Sequence, residues 1–200
     1  MKTLLKRSLM AIALAIVAFL STLEPAMAVA EPPFTIERRD GDFELRDYPG
    51  FVVAETRVEG GFDEASRAGF RRVANYIFGG NVGPDGKPIK IAMTAPVTVE
   101  PAGGDQWRLH FVMPDDVRST GLPKPADPSV NLREVPRHRM AAVRFGGFTT
   151  EASIAEHTAK LRDWIAAQGL QPAGEPQIAR YNDPFTLPWN RRNEIMIPVR

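Results

Sequence analysis

The 200-residue chain contains no cysteine. That absence excludes disulfide staples, a cysteine-linked lipid anchor and a thiolate nucleophile, so an exported form of the protein rests on its packed core alone. Histidine is scarce as well. His110, His138 and His157 lie far apart, and none forms a His-Glu-x-x-His pattern that would set two metal ligands on one helical face. Hydrolytic chemistry finds no Gly-x-Ser-x-Gly elbow to act from. The glycines at Gly79, Gly80 and Gly83 lack the Lys-Ser/Thr pair of a phosphate loop, and their position after a helix makes them a turn.

Long apolar stretches are confined to the amino end. Lys2, Lys6 and Arg7 precede an apolar run from Leu9 to Leu20, followed by Ala26-Met27-Ala28 and a second small-residue site, Ala28-Val29-Ala30. This is the three-part pattern of an export signal over residues 1–28, cut after Ala28 or Ala30. An uncleaved anchor is the alternative, but a bilayer span needs ~20 apolar residues and this run is shorter. The expected product is an exported protein, periplasmic in a bacterium, with no stable membrane anchor. Removing Lys2, Lys6, Arg7 and Glu24 from 25 basic and 24 acidic residues leaves a mature chain near neutrality. Nucleic-acid binding by bulk electrostatics, which needs a basic excess on one face, is therefore not expected. What remains, residues 31–200, has the size of one domain with one core.

An internal repeat organises that domain. At an offset of about 87 residues, Leu45-Arg46-Asp47-Tyr48-Pro49 aligns with Leu132-Arg133-Glu134-Val135-Pro136, and Arg57-Val58 with Arg144-Phe145. Gly60-Gly61-Phe62 pairs with Gly146-Gly147-Phe148 one residue out of phase, and Ile91-Ala92 aligns with Ile178-Ala179. The halves, about 42–114 and 129–199, each read as two β segments, a Gly-Gly break, a helix and two more β segments. One helix is expected from Asp63, as N-cap, to Phe78, with Gly79-Gly80 as its stop. The other is expected from Glu151 to Gln168, capped by Thr150, stopped by Gly169, with Ile154, Thr158, Leu161 and Ile165 as its core stripe. Trp107, Leu109, Phe111 and Met113 alternate with Arg108 and His110, the pattern of a strand with one wet face. On this reading His110 and His138 are solvated. The fold class is α+β: a distorted antiparallel barrel or curved sheet with two main helices, and a groove at its pseudo-symmetric centre as the ligand site.

Two segments can carry binding chemistry. The first helix has a core face of Phe62, Ala65, Gly69, Val73 and Tyr76, and beside it a line of Arg67, Phe70, Arg71, Ala74 and Phe78. Rings of a flat apolar ligand can pack on Phe70 and Ala74 while Arg67 or Arg71 bonds its carboxylates. On periodicity alone, the same arginines fit a solvated face with aliphatic stems over the sheet. The second segment, Tyr181 to Glu194, joins two strands through a proline-stiffened loop that presents Phe185, Leu187 and Trp189. It is either a hairpin loop folded on its own barrel mouth or the wall of a pocket.

That segment, Tyr181-Asn182-Asp183-Pro184-Phe185 through Arg191-Arg192-Asn193-Glu194-Ile195, resembles the SOUL heme-binding family, as do Met93-Thr94-Ala95-Pro96 and Phe145-Gly146-Gly147-Phe148, in the same order. The resemblance covers nearly the whole mature chain. It implies a duplicated, distorted barrel with two helices and a pocket for heme or a related tetrapyrrole between the first helix and the last inter-strand loop. Carried over, the pocket residues are Arg67, Phe70, Arg71 and Ala74 on the helix and Phe185, Leu187, Trp189 and Arg191 on the loop, so the arginine stripe becomes a ligand surface. With no cysteine, heme would be held non-covalently. Some members have a histidine in the strand equivalent to Glu44–Tyr48, thought to ligate iron; here Asp47 stands there. His157, sharing a helical side with Leu161 and Trp164, is the remaining histidine able to approach a ligand. The expected function is reversible tetrapyrrole binding, as a carrier or buffer without turnover. Rival readings are a binder of another amphipathic small molecule, since the duplicated fold resembles effector-binding domains, a tetrapyrrole-modifying enzyme, and a protein-interaction module using the Pro184–Trp189 loop.

Overall fold

The computed structural model describes residues 29–200; the expected export signal at 1–28 lies outside the described residues. Eleven strands and two substantial helices follow one another in chain order: β1 (Thr35–Asp40), β2 (Phe43–Tyr48), β3 (Phe51–Glu59), α1 (Phe62–Ile77), β4 (Asn81–Val82), β5 (Val97–Pro101), β6 (Gln106–Val112), the short α2 (Asp115–Thr120), β7 (Lys124–Pro125), β8 (Val130–Val135), β9 (His138–Phe145), α3 (Glu151–Ala167), β10 (Gln177–Arg180) and β11 (Asn193–Val199). Nine strands form one antiparallel sheet in the order β1-β2-β9-β11-β10-β5-β6-β3-β8, and β4 pairs with β7 apart from it. The ends of the large sheet, β1 and β8, do not pair with each other. The fold is thus the curved sheet of the two forms expected, not a closed barrel.

The strand registers reveal the duplication. Leu45 lies opposite Ala141 and Leu132 opposite Ala54, so β2-β9 repeats as β8-β3. Ile197 pairs with Ala141 as Phe111 pairs with Ala54, so β11 repeats β6. At the centre Ile178 of β10 faces Val99 of β5, and the pseudo-two-fold passes between them. The counterpart of β10 is therefore β5, which corrects the alignment of Ile91-Ala92 with Ile178-Ala179. Ile91 belongs to no strand: its amide donates to the Ile77 carbonyl at 2.7 Å, closing the chain back onto the end of α1.

Each helix covers one half of the same sheet face. Val73 and Ile77 of α1, and Leu161 and Ile165 of α3, are fully buried with Leu109, Phe111, Ile178, Ile195 and Ile197. Gly69 brings α1 close to β6, since a Cβ there would lie 3.0 Å from the Leu109 Cβ. The N-cap of α1 is Gly61 rather than Asp63, and no side chain bonds its free amides; Asp63 and Glu64 occupy the first turn, where their charge complements the helix dipole. Thr150 caps α3, its hydroxyl accepting from the Ser153 amide at 3.2 Å.

The opposite sheet face is not wet. Tyr48, Met140, Ala142, Ala179 and Met196 form a second apolar cluster there, with Phe34 against it. Glu194, fully buried, accepts both terminal nitrogens of Arg46 (2.6 and 3.0 Å), the Tyr181 hydroxyl (2.7 Å) and Arg192 Nε and Nη2 (3.0 and 2.9 Å). The amino segment lies over this network: Ala95 N–H donates to the Ala30 carbonyl, Glu31 pairs with Arg192, and the Phe34 ring sits 4.5 Å from the Arg46 guanidinium carbon. His110, expected in solvent, is buried on this face in the other half of the sheet.

Candidate functional site

The loop between β10 and β11 is braced by its own side chains. The Asp183 carboxylate accepts from the Phe185 and Thr186 amides (2.7 and 3.1 Å), an Asx turn stiffened by Pro184 within it and Pro188 just beyond it. Arg191 donates from Nε to the Thr186 carbonyl and from Nη2 to the Pro184 carbonyl, both at 2.8 Å, while its guanidinium lies 5.1 Å from the centre of the Phe148 ring. A single 3-10 turn, Pro188–Asn190, closes the tip. The Gly147 amide ties that turn to the segment before α3 by donating to the Pro188 carbonyl at 2.9 Å. The loop's apolar side chains face outward: Phe185 is 93% exposed, Trp189 74% and Leu187 51%.

At the base of this loop is a cleft of about 360 Å³ where four segments converge. Asp63 enters from the first turn of α1, Phe148 to Thr150 from the start of α3, and Asn182 to Pro184 with Arg191 from the loop; Arg180 and Asn193, cross-strand partners at the ends of β10 and β11, form its inner wall. Arg180 is mostly buried. Burial pushes its guanidinium below the usual arginine value, a shift that Asp63 opposes and the neighbouring Arg191 adds to.

Of the eight residues expected to bind ligand, Arg191 lines this cleft. Arg67, Phe70, Arg71 and Ala74 continue along α1 from Asp63, one turn and more beyond the cleft. Arg67 and Arg71 are exposed and make no hydrogen bond or ion pair among the described residues. Phe70 is half-exposed, its ring 5.6 Å from that of Phe111, and Ala74 is buried. Phe185, Leu187 and Trp189 stand outside the cleft on the loop's outer side. Phe148, 58% exposed, adds an apolar surface beside them that the site reading passed over, although it ends the Phe145-Gly146-Gly147-Phe148 segment. Arg180 was also missed; a lone arginine before Tyr181 carries no signal until the cross-strand register places it.

None of the three histidines lines the cleft. His157 Nδ1 lies 2.7 Å from the Ser153 carbonyl and its ring stacks on Phe145 at 4.0 Å, so it is packed into its own helix. His138 stacks on Tyr48 at 5.6 Å. His110 has a buried Nδ1 without a hydrogen-bond partner among the described residues, and burial, with Arg133 and Arg108 nearby, pushes its pKa down to about 3. Asp47, in the strand where some SOUL members carry histidine, is held by Arg137 at 2.5 Å. No cluster of three or more metal-ligating side chains occurs among the described residues.

The sequence matches the family model described as SOUL heme-binding protein over residues 29–198. Heme-binding protein 1 of Xenopus laevis is 29% identical over 160 residues, which cover 76% of this chain and 81% of that protein. Heme-binding protein 2 of Homo sapiens is 28% identical over 165 residues, 78% of each. Among solved structures, the EcmrR C-terminal domain superposes with a TM-score of 0.61 at 12% identity, covering 79% of this chain and 96% of that one. A hydrolase from Listeria innocua superposes at 0.56 with 13% identity, covering 82% and 94%. At such identities these two likenesses show the fold alone.

Proposed function

The chain belongs to the SOUL heme-binding protein family, and from that membership we propose that it binds heme or a related tetrapyrrole reversibly and non-covalently, as an exported carrier or buffer without turnover. What supports this reading is outward apolar side chains on the loop outside the cleft and, one turn and more along α1 from it, arginines without an acidic partner among the described residues. A flat ring finds Phe70, Phe148, Phe185, Leu187 and Trp189 as apolar contacts, while Arg67 and Arg71 have no acidic partner among the described residues and can bond propionates. Large apolar groups are rarely left together on a surface unless something covers them. The residues fit a dicarboxylic tetrapyrrole better than they fit iron chemistry, because the three histidines are packed, stacked or buried away from this surface. Apolar contact and arginine–carboxylate bonds are therefore the binding terms, and the cargo exchanges.

Titration of the chain from Val29 onward with hemin and with metal-free protoporphyrin, followed by absorbance and tryptophan quenching, tests the proposal. One-to-one saturable binding of both is expected, with little displacement of the Soret band on binding hemin. The double substitution Arg67→Glu/Arg71→Glu is expected to weaken hemin binding about tenfold or more, since each charge-assisted bond contributes roughly 1.5–3 kcal/mol. Unchanged affinity in a folded double variant would remove the helix from the site. Absence of saturable binding to either compound would leave the fold without this function.

A further inference from the structure

Arg180 is an under-partnered cation at the inner wall of the cleft. Its Nε is buried and has no hydrogen-bond partner among the described residues. The nearest carboxylate, Asp63, is 3.9 Å from Nη2, too long for a hydrogen bond, and its side chain is 77% exposed. The ring of Phe62, 4.8 Å from the guanidinium carbon, offers a face but no lone pair. The other acid in the cleft, Asp183, is committed to the amides and hydroxyl of its own turn. Arg191 brings a second guanidinium to the same cleft, and its Nε and Nη2 donate to carbonyls rather than to an anion. Two guanidiniums thus share a walled space of about 360 Å³, and among the described residues no carboxylate is hydrogen-bonded to either.

The fold does not demand this arrangement. Under the pseudo-two-fold set by Val99 and Ile178, the cross-strand pair Arg180–Asn193 corresponds to Pro101–Trp107. There the Trp107 ring packs edge-on against Phe62 at 5.1 Å. One half of the molecule places a proline and a tryptophan at this position; the other half places an arginine and an asparagine there, with the cleft beside them. A buried arginine costs desolvation free energy unless an anion completes it.

We propose that Arg180, assisted by Arg191, is a carboxylate-binding site that reads a free acid group of the cargo, so that the protein distinguishes tetrapyrrole acids from their esters. The inference rests on the tetrapyrrole reading above for the identity of the cargo, but not for the existence of the anion site. One carboxylate enters the cleft against Arg180 while the ring lies across the loop side chains outside, and planar arginine–carboxylate geometry favours a two-point bond.

The experiment compares protoporphyrin IX with its dimethyl ester on wild type, Arg180→Gln and Arg180→Lys, with circular dichroism melts to establish folding. Wild type is expected to bind the diacid at least tenfold tighter than the diester. In Arg180→Gln the diacid is expected to fall to the diester's affinity while the diester is unchanged, with Arg180→Lys between. Equal binding of diacid and diester by wild type, or an equal loss of both in Arg180→Gln, overturns the proposal. Should wild type bind neither compound, sodium propionate titrated against the Arg180 Nε–H resonance decides the matter separately. A saturable shift that disappears in Arg180→Gln keeps the carboxylate site and discards the tetrapyrrole; no shift discards both.

Discussion

Replacing Glu194 by glutamine changes one atom and leaves the shape intact, yet it removes the charge on which two arginines converge. Glu194 is fully buried and accepts five hydrogen bonds of 2.6–3.0 Å from Arg46, Tyr181 and Arg192. In Glu194→Gln, Arg46, itself buried, keeps a positive charge whose remaining carboxylate is Glu44, bonded to its Nε at 2.7 Å. Breaking a buried pair by neutralising one partner costs about 3–5 kcal/mol. In a domain of this size each kcal/mol moves the melting temperature by about 2–4 °C, so a fall of roughly 6–20 °C is expected at pH 7. The sign with pH follows from the carboxyl itself. Burial opposes its ionisation, but the bonds and charge of Arg46 and Arg192 outweigh that and hold it below the usual glutamate range. A depressed carboxylate stabilises the fold above its unfolded value and loses that contribution as pH falls through its folded value. The gap between wild type and Glu194→Gln is therefore widest near neutrality and narrows below roughly pH 4. Thermal unfolding followed by circular dichroism from pH 7 to pH 3 measures both features. A fall under about 2 °C at pH 7, or a gap that stays constant into acid, would refute the reasoning.

His110 gives the opposite test in mild acid. Its folded pKa of about 3 means that below pH 6.5 the unfolded chain takes a proton the folded chain refuses; at pH 5 this costs about 2 kcal/mol, and His110→Leu is expected to flatten that part of the stability–pH curve measured by urea unfolding. Gly69→Ala pushes a methyl to 3.0 Å from the Leu109 Cβ; overpacking outweighs the gain in helix propensity, and a net loss of about 1 kcal/mol is expected in the denaturant midpoint. A rise in that midpoint would mean that β6 yields. Export and cleavage after Ala28 rather than Ala30 keep the carbonyl that Ala95 bonds, so amino-terminal sequencing of protein secreted by a bacterial host is expected to begin at Val29.

The fold was legible in the sequence wherever alternation and spacing are set by the core. Leu45 and Leu132 share an offset because each must face the alanine of a neighbouring strand, and Leu161 and Ile165 mark the buried face of α3. The offset failed at Ile91 because the first half inserts the turn and extended segment from Gly79 to Pro96 before β5, and no periodic constraint reports the length of such a connection. His110 misled for a related reason: alternation shows that it opposes Leu109 and Phe111, but not that the second face is itself covered. Likewise Asp63 has the chemistry of a cap, and Gly61 takes the position through backbone geometry alone, at φ −66° and ψ 154°. The binding surface was read as two segments, helix and loop. Their meeting at Asp63, Arg180 and Arg191 depends on cross-strand register, which no local pattern encodes.

The bracing of the β10–β11 loop has a kinetic meaning. Asp183, Arg191 and Gly147 already hold its backbone, so the loop's conformational entropy is surrendered when the chain folds and not when cargo arrives. Were the loop to take the proposed tetrapyrrole, capture would need no slow reordering step, and its rate would be set by encounter. On the proposed function, affinity would vary through residence time, and the loop side chains would set how quickly the ligand leaves.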